Sequence, residues 1–188
     1  MRIEEIFGKV TDSGDATVGG GAASAIAGAM AAGLVSMVSL LSRGRELGLD
    51  DAAYVGFAEE LKAISEEFRA GAYADEVAFL GIKAALALPK ATDEEKSTRR
   101  GALSAAAITA ADVPLENAGR TVRVLEIVAA LEGKYNTSAA SDMECGRMLA
   151  RSALSGCLLN VEANLPMIKD PGAKERLEKA SEELKRLL

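Results

Sequence analysis

The 188-residue chain contains no histidine and no tryptophan, and aromatic residues make up only 4% of it. The absence of histidine removes the most common general base, the most common zinc ligand and both the Ser-His and the Cys-His nucleophile pairs. Any core must be built from Ala, Leu, Ile, Val and Met. Histidine-dependent catalysis is excluded.

Positive charge is also in deficit, because 22 Lys and Arg against 28 Asp and Glu give a net charge of -6. This balance argues against nucleic acid and anionic membrane surfaces as partners, since both need a basic field. The two cysteines, Cys145 and Cys157, fall in one predicted helix with their backbones roughly 18 Å apart, too far for a disulfide. Reduced cysteines predict a cytoplasmic location.

A stretch of 25 residues, 18–42, carries no charged side chain. Its length would allow a helix to cross a bilayer, but most of it is Gly, Ala or Ser, which gain little from transfer into lipid. Acidic residues precede it where a signal peptide would carry basic ones. We therefore predict a buried helix of a soluble protein and no membrane segment.

Apolar residues recur at helical spacing, and no segment alternates for long enough to indicate a strand. We predict an all-α protein, a single domain over residues 1–188 that forms an antiparallel bundle of about six or seven helices. The predicted helices run from Arg2 to Val10, from the glycines to Ser42, from Asp50 to Leu86 as one helix or two joined near Gly71, from Thr92 to Ala111, from Asp112 to Leu131, from Ser141 to Asn164 and from Asp170 onward.

Helix starts are predicted from capping sequences. Thr92 to Glu95 and Ser141 to Glu144 both match the capping box, in which the N-cap hydroxyl and a Glu three residues later satisfy backbone amides. Pro114 and Pro171 each follow an aspartate closely, and proline suits the first helical turn.

Small residues form faces that one small bundle cannot easily bury. We predict a symmetric homodimer that covers them, with packing inside one chain as the alternative. The residues concerned are Ala25, Gly28, Ala29 and Ala32 on the second helix and Ala102, Ala105, Ala106 and Ala110 later.

The glycine triplet Gly19, Gly20 and Gly21 begins a helix, where free backbone amides and the helix dipole suit a carboxylate or phosphate. A flexible turn before a tightly packed helix explains it equally well. Asp75 and Lys83 lie about 80° apart around one helix and two turns apart along it, so they could converge on one pocket or face solvent.

Asparagines and other charged residues give weaker signals. Asn160 and Asn164 share one face of an apolar helix, so they either tie helices together or bond a heterocycle. Asp142 lies in a first helical turn, where capping alone explains it. Arg99 is typical of a solvated helix position.

Taken in order, these segments resemble the cyclodeaminase/cyclohydrolase family, found as the C-terminal part of formiminotransferase-cyclodeaminase and alone in bacterial methenyltetrahydrofolate cyclohydrolases. The resemblance covers nearly the whole chain. It is carried by the glycine triplet with Met37 and Val38; Asp75, Ala78 and Phe79 followed by Leu88, Pro89 and Lys90; an arginine at 99 or 100 before Val113, Pro114 and Leu115; Ser141 and Asp142; and Asn160, Val161 and Asn164.

The resemblance implies an all-helical homodimer that acts on a tetrahydrofolate derivative at a pocket near the dimer interface, with no metal and no cofactor beyond the folate. The implied reaction is hydrolysis of 5,10-methenyltetrahydrofolate to 10-formyltetrahydrofolate. Formiminotetrahydrofolate cyclodeaminase activity, which releases ammonia, and non-catalytic folate binding are the alternatives.

Roles follow from the same resemblance. Asp75 or Asp142 would be the base or cation stabiliser, and Lys83 the proton donor to the departing ring nitrogen. The substrate-binding residues would be Asn160 and Asn164 against the pterin, with the amides of Gly19, Gly20 and Gly21 and the side chain of Arg99 against the glutamate tail. The chain departs from the family in having Val18 and Ala22 where Pro and Ser are usual.

Overall fold

Residues 3–15 and 17–188 are described by the computed structural model. Over these residues the chain forms six α-helices and two short 3-10 helices, with no strand. The helices are α1 (Ile3–Thr11), α2 (Gly20–Leu41), α3 (Asp51–Ala87), α4 (Asp93–Leu131), α5 (Ala140–Asn164) and α6 (Pro171–Lys185), and the 3-10 helices are Thr137–Ala139 and Leu165–Met167. The all-α prediction is confirmed; Arg2, predicted to begin the first helix, lies outside the described residues.

Helices α2 to α5 form an antiparallel bundle in which each packs against its chain neighbours and α2 also packs against α5. Serine hydroxyls fix the α2–α3 pair, since Ser39 Oγ donates to the Tyr54 carbonyl at 2.8 Å and Ser65 Oγ to the Ala29 carbonyl at 3.1 Å. The first bond joins the C-terminal end of α2 to the start of α3, and the second joins the middle of α2 to the middle of α3. The two helices therefore run in opposite directions.

Small residues allow these helices to approach closely. A Cβ added at Gly28 would lie 2.5 Å from the ring of Phe68, and one at Gly146 would lie 2.9 Å from Val35. Ala25 and Ala32 are fully buried. The small-residue face of α2 is therefore largely buried by packing within one chain. This matches the alternative to the prediction that a dimer covers the face.

Helix α2 is the central helix of this bundle. Its most apolar window has a mean hydropathy of 1.9, which by length and composition alone would be enough to cross a membrane. In the structure it packs against α3 and α5 and also contacts α4, and ten of its residues are buried. The uncharged stretch thus packs within the helical bundle as predicted, and the absence of a membrane segment stays a prediction.

Helix α4 continues through Pro114, so the predicted break between Ala111 and Asp112 is wrong. Proline lacks an N–H, which leaves the carbonyl four residues earlier without its helical donor. That carbonyl belongs to Ala110, and Asn164 Nδ2 of α5 donates to it at 3.0 Å. A side chain from the neighbouring helix thus replaces the missing amide.

The capping predictions had mixed outcomes. Thr92 and Glu95 form the predicted capping box with two reciprocal 3.1 Å bonds, and Asp170 caps α6. The box predicted at Ser141 is wrong, because the preceding residues fold into a 3-10 helix and α5 begins one residue early with no side-chain cap. No joint occurs at Gly71, because α3 is one continuous helix.

The hairpin of α3 and α4 projects beyond the start of α2. Gly21, in the first turn of α2, lies against Asp75, whereas α3 runs on to Ala87 and pairs with the first part of α4. The Leu165–Met167 turn and α6 pack onto this projecting hairpin. A notch is left where α2 begins.

Candidate functional site

A cavity of about 430 Å³ occupies this notch, a volume in the range of small-molecule sites. It is lined by Thr17, Gly19, Gly20, Gly21, Asp75, Phe79, Ile82, Ala110, Asn160, Ala163, Asn164 and Met167. The structure thus brings together six of the nine residues that the sequence singles out, from the three helices α2, α3 and α5 and the residue before α2.

Asp75 projects from α3 toward the N-terminus of α2. Its Oδ2 accepts a hydrogen bond from the Ala22 amide at 3.0 Å. Burial raises the Asp75 pKa above its ordinary value, and the Ala22 bond opposes this shift without cancelling it. A carboxylate whose charged form is disfavoured in this way takes up a proton more readily than a solvated one.

Two glycines of the triplet leave the space for the neighbouring polar side chains. A Cβ at Gly21 would lie 2.0 Å from Asp75 Oδ1, and one at Gly20 would lie 3.1 Å from Asn160 Nδ2. Gly21 in particular admits no side chain while Asp75 holds its position. The anion at this helix N-terminus is therefore the protein's own carboxylate, which accounts for Gly21 without an external ligand, whereas a Cβ at Gly19 would meet nothing within 4 Å.

The two asparagines hold the cavity wall through their amide nitrogens. Asn164 Nδ2 donates to the Ala110 carbonyl and, at 2.8 Å, to the Asn160 carbonyl, while Asn160 Nδ2 donates to the Gly156 carbonyl at 2.8 Å. Both donor hydrogens of Asn164 are thus committed, and its Oδ1 is the polar atom left for a ligand. Asn164 ties α4 and α5 together, which is the first of the two predicted alternatives. It also lines the cavity, and its bond to a heterocycle stays a prediction.

Charge in the cavity has one sign. Asp75 is the one ionisable side chain among the described residues that line it, and no Lys or Arg does so. Cys157 lies behind this carboxylate, and burial together with the Asp75 charge raises the Cys157 pKa to about 12. The site therefore suits a neutral or cationic ligand and a reaction that needs a proton acceptor.

Lys83, Arg99 and Asp142 do not line this cavity. Lys83 is exposed on α3, and its charge helps to lower the pKa of Asp15. Arg99 donates from Nε and Nη2 to the Leu86 carbonyl at the tip of the α3–α4 hairpin. Asp142 precedes Asn160 by eighteen residues of one helix, a separation of roughly 27 Å. Their assigned roles stay predictions.

Comparison with known proteins matches this fold and site to one family. A family model described as Formiminotransferase-cyclodeaminase matches residues 3–183. The chain belongs to the formiminotransferase-cyclodeaminase family. It is 37% identical over 169 residues to a methenyltetrahydrofolate cyclohydrolase of Methylorubrum extorquens, which covers 86% of this chain and 78% of that protein.

Other similar proteins are longer or more distant. A formimidoyltransferase-cyclodeaminase of Gallus gallus is 30% identical over 165 residues, which cover 87% of this chain and 30% of that protein. A crystal structure of formiminotetrahydrofolate cyclodeaminase from Thermotoga maritima superposes with a TM-score of 0.85 at 23% identity, covering 99% of this chain and 89% of that chain. This last likeness shows that the fold is shared.

This family member departs from the usual pattern at Val18 and Ala22, and both side chains are buried, with Ala22 fully so. Neither lines the cavity. The departures therefore fall on packing positions at the start of α2. Ala22 contributes its backbone amide to Asp75, which any residue except proline would supply.

Several lining residues were not predicted as site residues. Phe79 and Ile82 follow Asp75 by four and seven residues on α3, so helical spacing from Asp75 was a signal that could have found them. Thr17 and Met167 enter from a loop and a 3-10 turn. Their approach depends on tertiary packing, for which the sequence offers no periodic signal.

Among residues 3–15 and 17–188, no group of three or more His, Cys, Asp or Glu could hold a metal ion.

Proposed function

We propose that this family member hydrolyses 5,10-methenyltetrahydrofolate to 10-formyltetrahydrofolate. The observation that carries the proposal is the single carboxylate of Asp75 among the described residues that line the cavity, none of which is basic. The methenyl bridge of this substrate is an amidinium cation, which a lone carboxylate in a partly desolvated site stabilises. The name and 37% identity of the Methylorubrum extorquens relative support the same activity.

Modest acid-base assistance and positioning suffice for the reaction, because the bridging carbon is already electrophilic. Water attacks this carbon while Asp75 accepts one of its protons, and a neutral tetrahedral intermediate forms. Asp75 then returns the proton to N5, the C–N5 bond breaks, and the hydroxyl proton goes to solvent as the formyl group forms on N10. A carboxylate whose pKa is raised by burial is suited to both transfers.

The remaining residues would position the substrate. Asn160 and Asn164 would contact the pterin, and the backbone around Gly19 to Gly21 would form one wall. Asp142 lies roughly 27 Å from Asn160 along α5, so its predicted role as base or cation stabiliser would require a second protomer. Lys83 would serve as proton donor only if its side chain turned toward the cavity from its exposed position.

Asp75→Asn tests the proposal directly. The loss of methenyltetrahydrofolate absorbance should slow by at least about 10²-fold, since a positioned general base contributes roughly that much or more. Asp93→Asn is the matched control, because Asp93 is exposed at the first turn of α4 and forms an ion pair with Lys96. Activity of Asp75→Asn within about threefold of the wild type, with an unchanged circular dichroism spectrum, would contradict the assignment.

Cyclodeaminase activity is the second candidate, favoured by the family description and by the Gallus gallus relative. It uses the same electrophilic carbon but expels ammonia while N10 closes the ring. Ammonia release from formiminotetrahydrofolate, measured beside the absorbance assay, separates the two activities. If neither signal is seen while folate raises the melting temperature, the chain is a non-catalytic folate-binding protein.

The proposed homodimer rests on exposed apolar side chains along one side of α2, at Met30, Met37 and Leu41. Such a continuous apolar stripe is typical of a contact surface. Light scattering should give a dimeric mass that Met37→Glu reduces to a monomer. A monomeric wild type would contradict the dimer, and a dimer dissociated by Val77→Glu instead would place the contact on α3.

We further propose a soluble cytoplasmic protein that needs no cofactor beyond its folate substrate. The free state of Cys145 and Cys157 fits a reducing compartment. Cell fractionation should recover the protein without detergent, and dialysis against EDTA should leave turnover unchanged. Recovery only with membranes, or loss of turnover restored by a metal ion, would contradict this proposal.

A further inference from the structure

Thr17 is the one hydroxyl-bearing residue among the described residues that line the cavity. It lies in the loop between α1 and α2, two residues before the first glycine of the triplet, and is partly buried. A hydroxyl can donate or accept a hydrogen bond. What Thr17 offers to a ligand therefore depends on where its own hydrogen points.

Asp15 determines that direction. Thr17 Oγ1 donates to Asp15 Oδ1, and the Thr17 amide donates to the same oxygen at 2.8 Å. These two bonds, with smaller contributions from the charges of Lys9 and Lys83, hold the Asp15 pKa below its ordinary value. Asp15 is thus a carboxylate acceptor at neutral pH, and the hydroxyl hydrogen of Thr17 is committed to it.

The helix that precedes this loop is tied to α3. Lys9 of α1 forms an ion pair with Glu76, a buried residue of α3 directly after Asp75. The charges of Lys9 on α1 and Lys83 on α3 also act on Asp15. The ion pair between Lys9 and Glu76 ties α1, from which the Thr17 loop continues, to the helix that carries Asp75.

We propose that Thr17 is a specificity-determining residue whose Oγ1 accepts a hydrogen bond from an N–H group of the bound pterin. This inference rests on the proposed folate substrate. It agrees with the other polar atoms of the cavity, since Asp75 and the free Oδ1 of Asn164 are also acceptors. A reduced pterin carries N–H donors at its amino group, at N3 and at N8, which a wall of acceptors recognises.

Thr17→Val tests the proposal because valine keeps the shape of threonine and the backbone bond from residue 17 to Asp15. We expect KM for methenyltetrahydrofolate, and Kd for 5-formyltetrahydrofolate measured by calorimetry, to rise about tenfold, as for the loss of one hydrogen bond to a buried donor. The value of kcat should stay within about twofold, since Asp75 is unmoved. Thr17→Ser should restore both constants.

Thr98→Val is the matched control, because Thr98 is exposed on α4. Wild-type values of Kd and KM in Thr17→Val would overturn the inference while leaving the proposed function intact. A loss in Thr17→Ser as large as in Thr17→Val would also overturn it, because the methyl group and not the hydroxyl would then matter. A wild-type protein that binds no folate would overturn both proposals.

Discussion

Gly21→Ala should inactivate the protein by moving one carboxylate. The added Cβ would lie 2.0 Å from Asp75 Oδ1 and 2.7 Å from Oδ2, whereas ordinary contact begins at 3.4 Å. The nearer oxygen must therefore retreat by at least about 1.4 Å. Because Oδ2 accepts the Ala22 amide, this retreat also breaks the bond that orients the carboxylate.

The expected cost to activity is much larger than the cost to stability. Misplacing a catalytic group by about 1 Å reduces rates roughly 10²-fold, so kcat/KM should fall by at least that factor. Alanine gains about 1 kcal/mol over glycine in a helix, while the lost bond to a charged group costs about 1.5 to 3 kcal/mol. The net loss of about 1 kcal/mol lowers the melting temperature by only about 3 °C.

The assay is loss of methenyltetrahydrofolate absorbance, with a thermal melt on the same preparation. Gly56→Ala is the matched control, because Gly56 lies on the same helix as Asp75 and an added Cβ meets nothing within 4 Å. It should retain full activity and gain slightly in melting temperature. A Gly21→Ala protein with more than half of the wild-type kcat/KM would refute the role of Asp75 geometry.

Three further predictions concern stability and reactivity. Asp75→Asn should raise the melting temperature at pH 7, because burial raises the Asp75 pKa in the folded protein. Wild-type stability therefore falls as pH rises from the pKa of the unfolded chain to the pKa of the folded protein. The gain should vanish in melts below about pH 4, and a pH-independent gain would contradict this reasoning. Asn164→Leu should cost about 1 to 3 kcal/mol in urea denaturation by orphaning a carbonyl, and Pro114→Ala should recover part of that loss by supplying an amide; strictly additive effects would count against the pairing. Iodoacetamide should label exposed Cys145 and spare buried Cys157 in the native protein, as peptide mass spectrometry can check, and equal labelling would contradict their burial.

Local sequence signals predicted the start of a helix correctly where both capping partners lie close together in the sequence. The Thr92 capping box forms because its two partners lie within one turn of each other. The Ser141 box fails because the residues before it enter a 3-10 helix whose N-cap is Asn136, and Asn136 is held by Ser42 of the opposite loop. Competition from a distant contact cannot be read from four residues.

Pro114 shows the same limit in helix α4. Proline normally marks a helix start because its missing amide would leave a carbonyl unpaired inside a helix. Here Asn164, fifty residues later in the chain, supplies the donor. The sequence contains both Pro114 and Asn164, but only the packing of α4 against α5 brings the Asn164 amide to the carbonyl that Pro114 leaves without a donor.

The candidate site was predictable where residues lie on regular helices. Asp75, Asn160 and Asn164 stand out as polar positions on apolar helices, and all three line the cavity. Thr17 does not stand out, because polar residues are expected in a loop. Its role depends on the bond to Asp15 and on the charges of α1 and α3 around that carboxylate, which no local pattern indicates.

The packing gives the glycine triplet a different explanation from the one that the sequence suggests. A helix N-terminus rich in glycine favours an anion, and the sequence gives no reason to place that anion inside the protein. Gly21 has no side chain because Asp75 occupies the position that a Cβ would take. The positive N-terminal end of α2 is therefore paired with a carboxylate from α3. Burial nevertheless leaves the Asp75 pKa raised. The helix end therefore positions Asp75 without fully stabilising its charge, which keeps the carboxylate available to a cationic ligand or a proton.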